Sequence, residues 1–232
     1  MLSVNDKNKK AFSYRHFDRS KKNFLYKNFN KSSSYMSNFS EAMFTNTSFI
    51  GTKFMVCKFS EAKFESCLLQ GTLFRKCNLE NVTFENTIVV ASVFDRTKLA
   101  GCKFNNCRIL NGKKLKTLIP KKNLVDTIFF ENFPNLNMFS DELIQVVESL
   151  RTNDYVRRSG ILHRKKGLLN TISLEILVSQ YSELFLINNL PKISFLISSE
   201  FHTLSYIQKL LCKIKDGTIH YPGPNHPQSS CN

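Results

Sequence analysis

The residues that could do chemistry in this chain are its seven cysteines and five histidines, and their spacing sorts them quickly. Cys57, Cys67, Cys77, Cys102 and Cys107 are separated only by multiples of five, and no CxxC pair occurs. A zinc ribbon needs paired thiolates at short spacing, so that chemistry has no support. Cys212 lies among Leu210, Leu211 and Ile214 and reads as part of a helix core, whereas His220, His226 and Cys231 are scattered through a Pro-rich tail. No Gly-rich phosphate loop, HExxH pair or nucleophile elbow is present. The densest charge is the run Arg157, Arg158, His163, Arg164, Lys165, Lys166. It reads as a solvated connector, with an anion, membrane-surface or nucleic-acid contact as the functional alternative. No aromatic residue interleaves with it, which argues against single-stranded nucleic acid. No catalytic residue, metal site or cofactor is expected.

The regular spacing of the thiols belongs to a larger pattern that must position them. From Phe24 to Ile109 every fifth residue is a repeat centre, and 17 of these 18 positions are large and apolar; Ser34 is the exception. Two residues before each centre, from Ser32 to Cys107, stand only Ser, Thr, Ala, Cys and one Val. A period of five smears around an α-helix and alternates faces along a straight strand. It keeps both columns inside only if the chain turns a corner in every repeat. Four near-90° corners close a 20-residue coil, and coils stack at about 4.8 Å. The expected fold is a right-handed, four-sided β-solenoid over residues 24–112, followed by a small α-helical region. Phe24, Phe44, Phe64, Phe84 and Phe104 form one ladder, with the five thiols small and buried beside such ladders. They read as reduced.

Flanking the third ladder, Ile50, Leu68, Ile88, Val90 and Leu110 point outward, and the next face adds Met55, Leu73 and Val93. These apolar residues recur at about one-coil spacing and form a stripe, to be covered by the C-terminal helices or by a protein partner, a second copy included. Beyond Gly112, Lys114 takes the place of a centre, and an unpaired charge cannot enter the bore, so the solenoid is expected to end there. Residues 113–139 read as linker and cap, with a short helix or cap around Leu124 to Phe130. In 140–217, Ser140 opens a helix near 141–152, one largely buried helix falls within 167–189, Pro191 interrupts, and Ser198 to Glu200 open a last helix that closes at Asp216-Gly217. Residues 1–23 read as a basic, solvated leader without a Sec-type apolar segment, and 218–232 as a disordered tail. No stretch of 18 apolar residues marks a membrane span.

The net charge of +15 lies unevenly: +7 over residues 1–31, +3 over 32–112 and +5 over 113–232. Quintets such as Ser37-Asn38-Phe39-Ser40-Glu41, Ala62-Lys63-Phe64-Glu65-Ser66 and Cys77-Asn78-Leu79-Glu80-Asn81 resemble those of pentapeptide-repeat proteins. That resemblance covers a little over a third of the chain and implies the β-helix. One activity in that family, DNA mimicry that protects topoisomerases, requires an acidic surface, and nine basic against six acidic residues on these coils do not supply it. The layout of polar leader, β-helix and helical C-terminal part is similar to type III secreted effectors of enteric bacteria. It implies a non-enzymatic scaffold that binds a host protein after export from the bacterial cytoplasm. No nucleic acid is expected as a partner, and the basic segments leave a membrane surface open. Some larger members carry a module resembling HECT ubiquitin ligases. The residues after the coils are too few for both lobes of such a module, so a truncated or degenerate relative is the alternative.

Overall fold

A computed structural model describes residues 11–219. Fourteen short strands, numbered along the chain, stack into three parallel sheets. The first sheet holds β1 (Asn23–Leu25), β3 (Met43–Thr45), β5 (Lys63–Glu65), β8 (Thr83–Glu85), β11 (Lys103–Asn105) and β13 (Leu124–Val125). The second holds β2 (Ser33–Tyr35), β4 (Lys53–Met55), β7 (Leu73–Arg75) and β10 (Val93–Asp95). In the third, β6 (Leu68–Gln70), β9 (Ile88–Val90), β12 (Arg108–Leu110) and β14 (Ile128–Phe130) lie in that order. Single bridges through Asp18, Asn38, Lys58, Asn78 and Lys98 make the fourth side. Phe44 pairs with Phe64, Phe54 with Phe74 and Leu69 with Val89, so each turn is one 20-residue coil with four sides. Six strands in the first sheet define five turns.

Two local devices make the corners. The residue two after each centre adopts φ near +50° to +60°, whether it is Asn46, Glu61, Val56 or Gly71. Left-handed backbone turns the chain through the corner, at a cost of about 1–2 kcal/mol for a residue with a Cβ. The small column also does more than fit a narrow bore. Thr47 Oγ1 donates to the Phe24 carbonyl at 2.8 Å, Thr72 Oγ1 to Phe49 at 2.7 Å and Cys102 Sγ to Leu79 at 2.9 Å, each onto the centre residue of the coil below. A hydroxyl or thiol two before the centre therefore ties adjacent coils together, which explains Ser, Thr and Cys there beyond their size. Inside, ring centroids in the Phe24 to Phe104 ladder lie 4.9, 4.7, 5.0 and 4.6 Å apart, with the rings stacked. Each buried ring contributes on the order of 2–3 kcal/mol before ordering costs.

The coil extends beyond the expected 24–112 at both ends. Arg15 bridges Tyr35 and Asp18 bridges Asn38, so residues before Asn23 already belong to it. Tyr14 sits one coil below Ser34, its N–H bonded to Ser34 Oγ at 3.2 Å. Its ring lies 5.7 to 6.5 Å from Phe24, Phe29 and Phe39 and closes the bore where Ser34 leaves room. At the other end α1 (Lys113–Leu118) replaces one side. Lys114 stays exposed, as its charge requires, while Leu115 and Ile119 plug the bore. The chain then returns in register, Phe104 against Leu124 and Ile109 against Phe129, where a linker and a short helix or cap were expected. The detour keeps the 20-residue count, so the ladder resumes after it.

The helical unit comprises α2 (Asp141–Ser149), α3 (Asp154–Ser159), α4 (Thr171–Gln180), α5 (Glu183–Leu196) and α6 (Leu204–Lys215), with short 3-10 turns between them. Ser140 caps α2, its Oγ accepting from Leu143 N–H. The single helix expected within 167–189 is two: the chain extends at Tyr181, and Ser182 caps α5 by accepting from Phe185 N–H. Pro191 does not interrupt; it lies inside α5. Burial of Leu186, Leu190 and Ile193 offsets the roughly 3 kcal/mol a helical proline costs. The last helix starts at Leu204, later than expected, because Phe201 is buried and stacks on Tyr206.

Candidate functional site

The apolar stripe divides. Leu68, Ile88 and Leu110 are buried against the helical unit, and Ile50 and Val90 are partly buried in the same cluster. One polar clamp reinforces this contact. Arg108, on β12, donates from Nε to Glu175 Oε2 on α4 at 2.7 Å, with both side chains largely buried. Arg108 also reaches Asn106 Oδ1 at 3.2 Å and the Asp126 carbonyl at 3.5 Å. Leu73 and Val93 lie around the corner on the second sheet, and Val93 is 52% exposed. Five stripe residues thus serve helix docking, while the other three, Met55, Leu73 and Val93, lie on the second sheet.

The basic run does not form one patch. Arg157 and Arg158 pair with Asp154 on the same short helix. Arg164 folds over the Phe133 ring at 3.6 Å and donates to the Leu169 carbonyl, while Lys165 and Lys166 are exposed. His163 is buried rather than a solvated connector. Its Nε2 donates to the Val147 carbonyl at 2.9 Å, which fixes the tautomer, and Nδ1 has no partner. Burial holds its pKa below the ordinary imidazole value, and Arg151 adds to the shift. The backbone of 161–163 runs beside 168–170, with Asn170 N–H on Leu162 C=O. That pairing carries the ring inside, and a count of charges in sequence does not reveal it.

The thiols divide in the same way. Cys57, Cys67, Cys77, Cys102 and Cys107 are buried. Burial pushes Cys67, Cys102 and Cys107 up to about 12, so none is a thiolate at neutral pH. Cys77 is raised as well, by its hydrogen bond with Cys57 and then by burial. Cys212, read from sequence as core, is exposed, because α6 turns Ile207 and Leu211 inward instead. Its Sγ lies 3.2 Å from Asp216 Oδ2, and that carboxylate raises its pKa. A thiol held protonated is a weak nucleophile. His220, His226 and Cys231 lie outside the described residues. Among the described residues no cluster of His, Cys, Asp and Glu could hold a metal, and no helix is long and apolar enough to cross a membrane.

Sequence reasoning missed the apolar corner of the second sheet. Register places Tyr35 beside Met55 and Leu73 beside Val93. Met36 N–H bonds to the Met55 carbonyl and Val56 N–H to Arg75, which brings both corner residues onto the same face. Met36 is 48% exposed and Val56 41%. A signal was present, since apolar residues are out of place in a corner column otherwise made mostly of Asn, Gly, Lys and Glu. Arg15 lies 5.6 Å over the Tyr35 ring, and Lys53 and Lys76 stand at the margin. An apolar patch with a basic rim, on a rigid sheet, suits contact with a protein surface.

The fold is a parallel β-helix with a helical unit packed against its third sheet. Residues 23–113 match the family model described as "Pentapeptide repeat region", and this part of the chain is a pentapeptide-repeat β-helix. Similar solved structures include a pentapeptide repeat protein of the Arabidopsis thaliana thylakoid lumen, 19% identical over 45% of this chain and 73% of that one, with a TM-score of 0.42. HetL of Nostoc sp. strain PCC 7120, described as involved in heterocyst differentiation regulation, is 12% identical over 43% of this chain and 45% of its own, with a TM-score of 0.32. QnrB1, a plasmid-mediated fluoroquinolone resistance protein, is 14% identical over 51% of this chain and 91% of its own, with a TM-score of 0.22. No curated protein matches the chain.

Proposed function

We propose that this protein is a non-enzymatic interaction scaffold that binds a protein partner through the second sheet, around Tyr35, Met36, Met55, Val56, Leu73 and Val93. The observation that carries the reading is division of labour: the helical unit covers the third sheet, yet Met36, Val56 and Val93 stay exposed. Val56 adds to it. It is the one β-branched residue among the left-handed corners, at φ +58°, where Asn or Gly would be less strained. A costly apolar residue held at an exposed corner supports a role in contact. The similarity of layout to type III secreted effectors supports a host protein as the partner. Met55→Glu tests the face. Its side chain points outward, so the fold is expected to keep its circular dichroism and melting temperature, while cross-linked partners from host lysate are lost. An unchanged set of captured proteins refutes the assignment to this face. A translocation reporter fused to the chain tests export, and no signal above background would remove the effector reading.

A further inference from the structure

At its C-terminal end the second sheet stops one strand short. β10 is an edge strand, and the residues that would stack on it, one coil later, are held in α1. In the lower coils Thr52 and Thr72 each accept, at the carbonyl, an N–H from the coil above, and Val56 and Lys76 each donate upward in the same way. The equivalent groups on the top coil, Ser92 C=O and Arg96 N–H, have no such partner among the described residues. Between this edge and α1 lies a cleft of about 560 Å³. Val93, Leu115 and Leu118 line it together with Arg96 and Lys114. Arg75, also in the lining, is committed to Asp95 at 2.9 Å, whereas neither Arg96 nor Lys114 forms an ion pair among the described residues.

We propose that this edge accepts an extended segment of a partner protein as a further strand, with apolar side chains over Val93 and Leu115 and an acidic residue opposite Arg96 and Lys114. Strand addition satisfies unpaired backbone groups and reads alternate side chains in pockets. The two free cations select the acid. The inference rests on the scaffold reading and gives the mode by which a partner engages the end of the same face.

The probe is a phage-displayed library of random heptapeptides, selected on the immobilised full chain, with enriched sequences resynthesised. The expected result is a core of two apolar residues followed by Asp or Glu, with binding weakened at least about tenfold by Arg96→Glu. N-methylation of one alternate set of peptide amides abolishes binding, and methylation of the other set leaves it intact, because only one set faces the strand. No enrichment, or binding indifferent to which set is methylated, overturns the proposal. Met55→Glu, two strands below the β10 edge and outside the cleft lining, separates the two readings. If it abolishes partner capture while no peptide binds the edge, the face reading stands and the strand-addition reading falls.

Discussion

Replacing Glu175 by Gln tests how the helical unit is locked to the coils. The exchange keeps size and one acceptor but removes the charge beside Arg108, whose side chain is only 9% exposed. At an effective permittivity near 20, unit charges about 4 Å apart attract by roughly 4 kcal/mol, part of which desolvation cancels. Arg108 keeps its longer bonds to Asn106 and Asp126, so its charge is not left wholly bare. The expected loss is therefore about 2–3 kcal/mol, below the full penalty of an orphaned buried ion. The double replacement Arg108→Met with Glu175→Leu is expected within about 1 kcal/mol of the native chain, because it removes both desolvation costs and adds apolar contact to a face already occupied by Ile88 and Leu110. Urea unfolding followed by circular dichroism gives both values, and amide exchange in α4 shows whether the helices open before the coils. A loss under about 0.5 kcal/mol for Glu175→Gln would mean that apolar packing alone holds the unit, and the clamp argument would fail.

Phe64→Ala removes a ring stacked between Phe44 and Phe84, and a loss of about 3–5 kcal/mol is expected by denaturant unfolding, against about 0.5 or less for the exposed Phe17→Ala. His163 and His202 both have folded pKa values held down chiefly by burial. The unfolded chain therefore takes up protons first, and stability present above about pH 6.5 declines as pH falls toward the folded values. Urea midpoints at pH 7.5 and 5.5 check this, and His163→Gln is expected to flatten the difference. Brief alkylation of the native chain with mass-spectrometric mapping is expected to modify Cys212 while sparing Cys57, Cys67, Cys77, Cys102 and Cys107 until denaturant is added; equal labelling of all six would contradict the packed bore.

The coil was legible because its pattern is local and repeated. A Phe every five residues with a small donor two before it leaves one way to hide both columns, and strand register follows by adding 20. Hence the ladders and the five buried thiols follow from the repeat alone. The ends were not legible. Arg19 and Lys114 occupy centre positions and look like terminations, yet Arg19 lies across the Tyr14 ring and Lys114 is carried outward by α1, so the ladder passes both.

Docking of one unit on another decided the rest. Whether Ile88 meets solvent, a partner or a helix depends on where α4 comes to lie, and no periodicity encodes that. His163 and Cys212 exchanged their expected surroundings for the same reason: burial of a side chain is set by which elements face it, and those elements are distant in sequence. By itself the repeat determined a tube with its thiols inside. Only packing in three dimensions decided which side of the tube was covered by helices and which was left open.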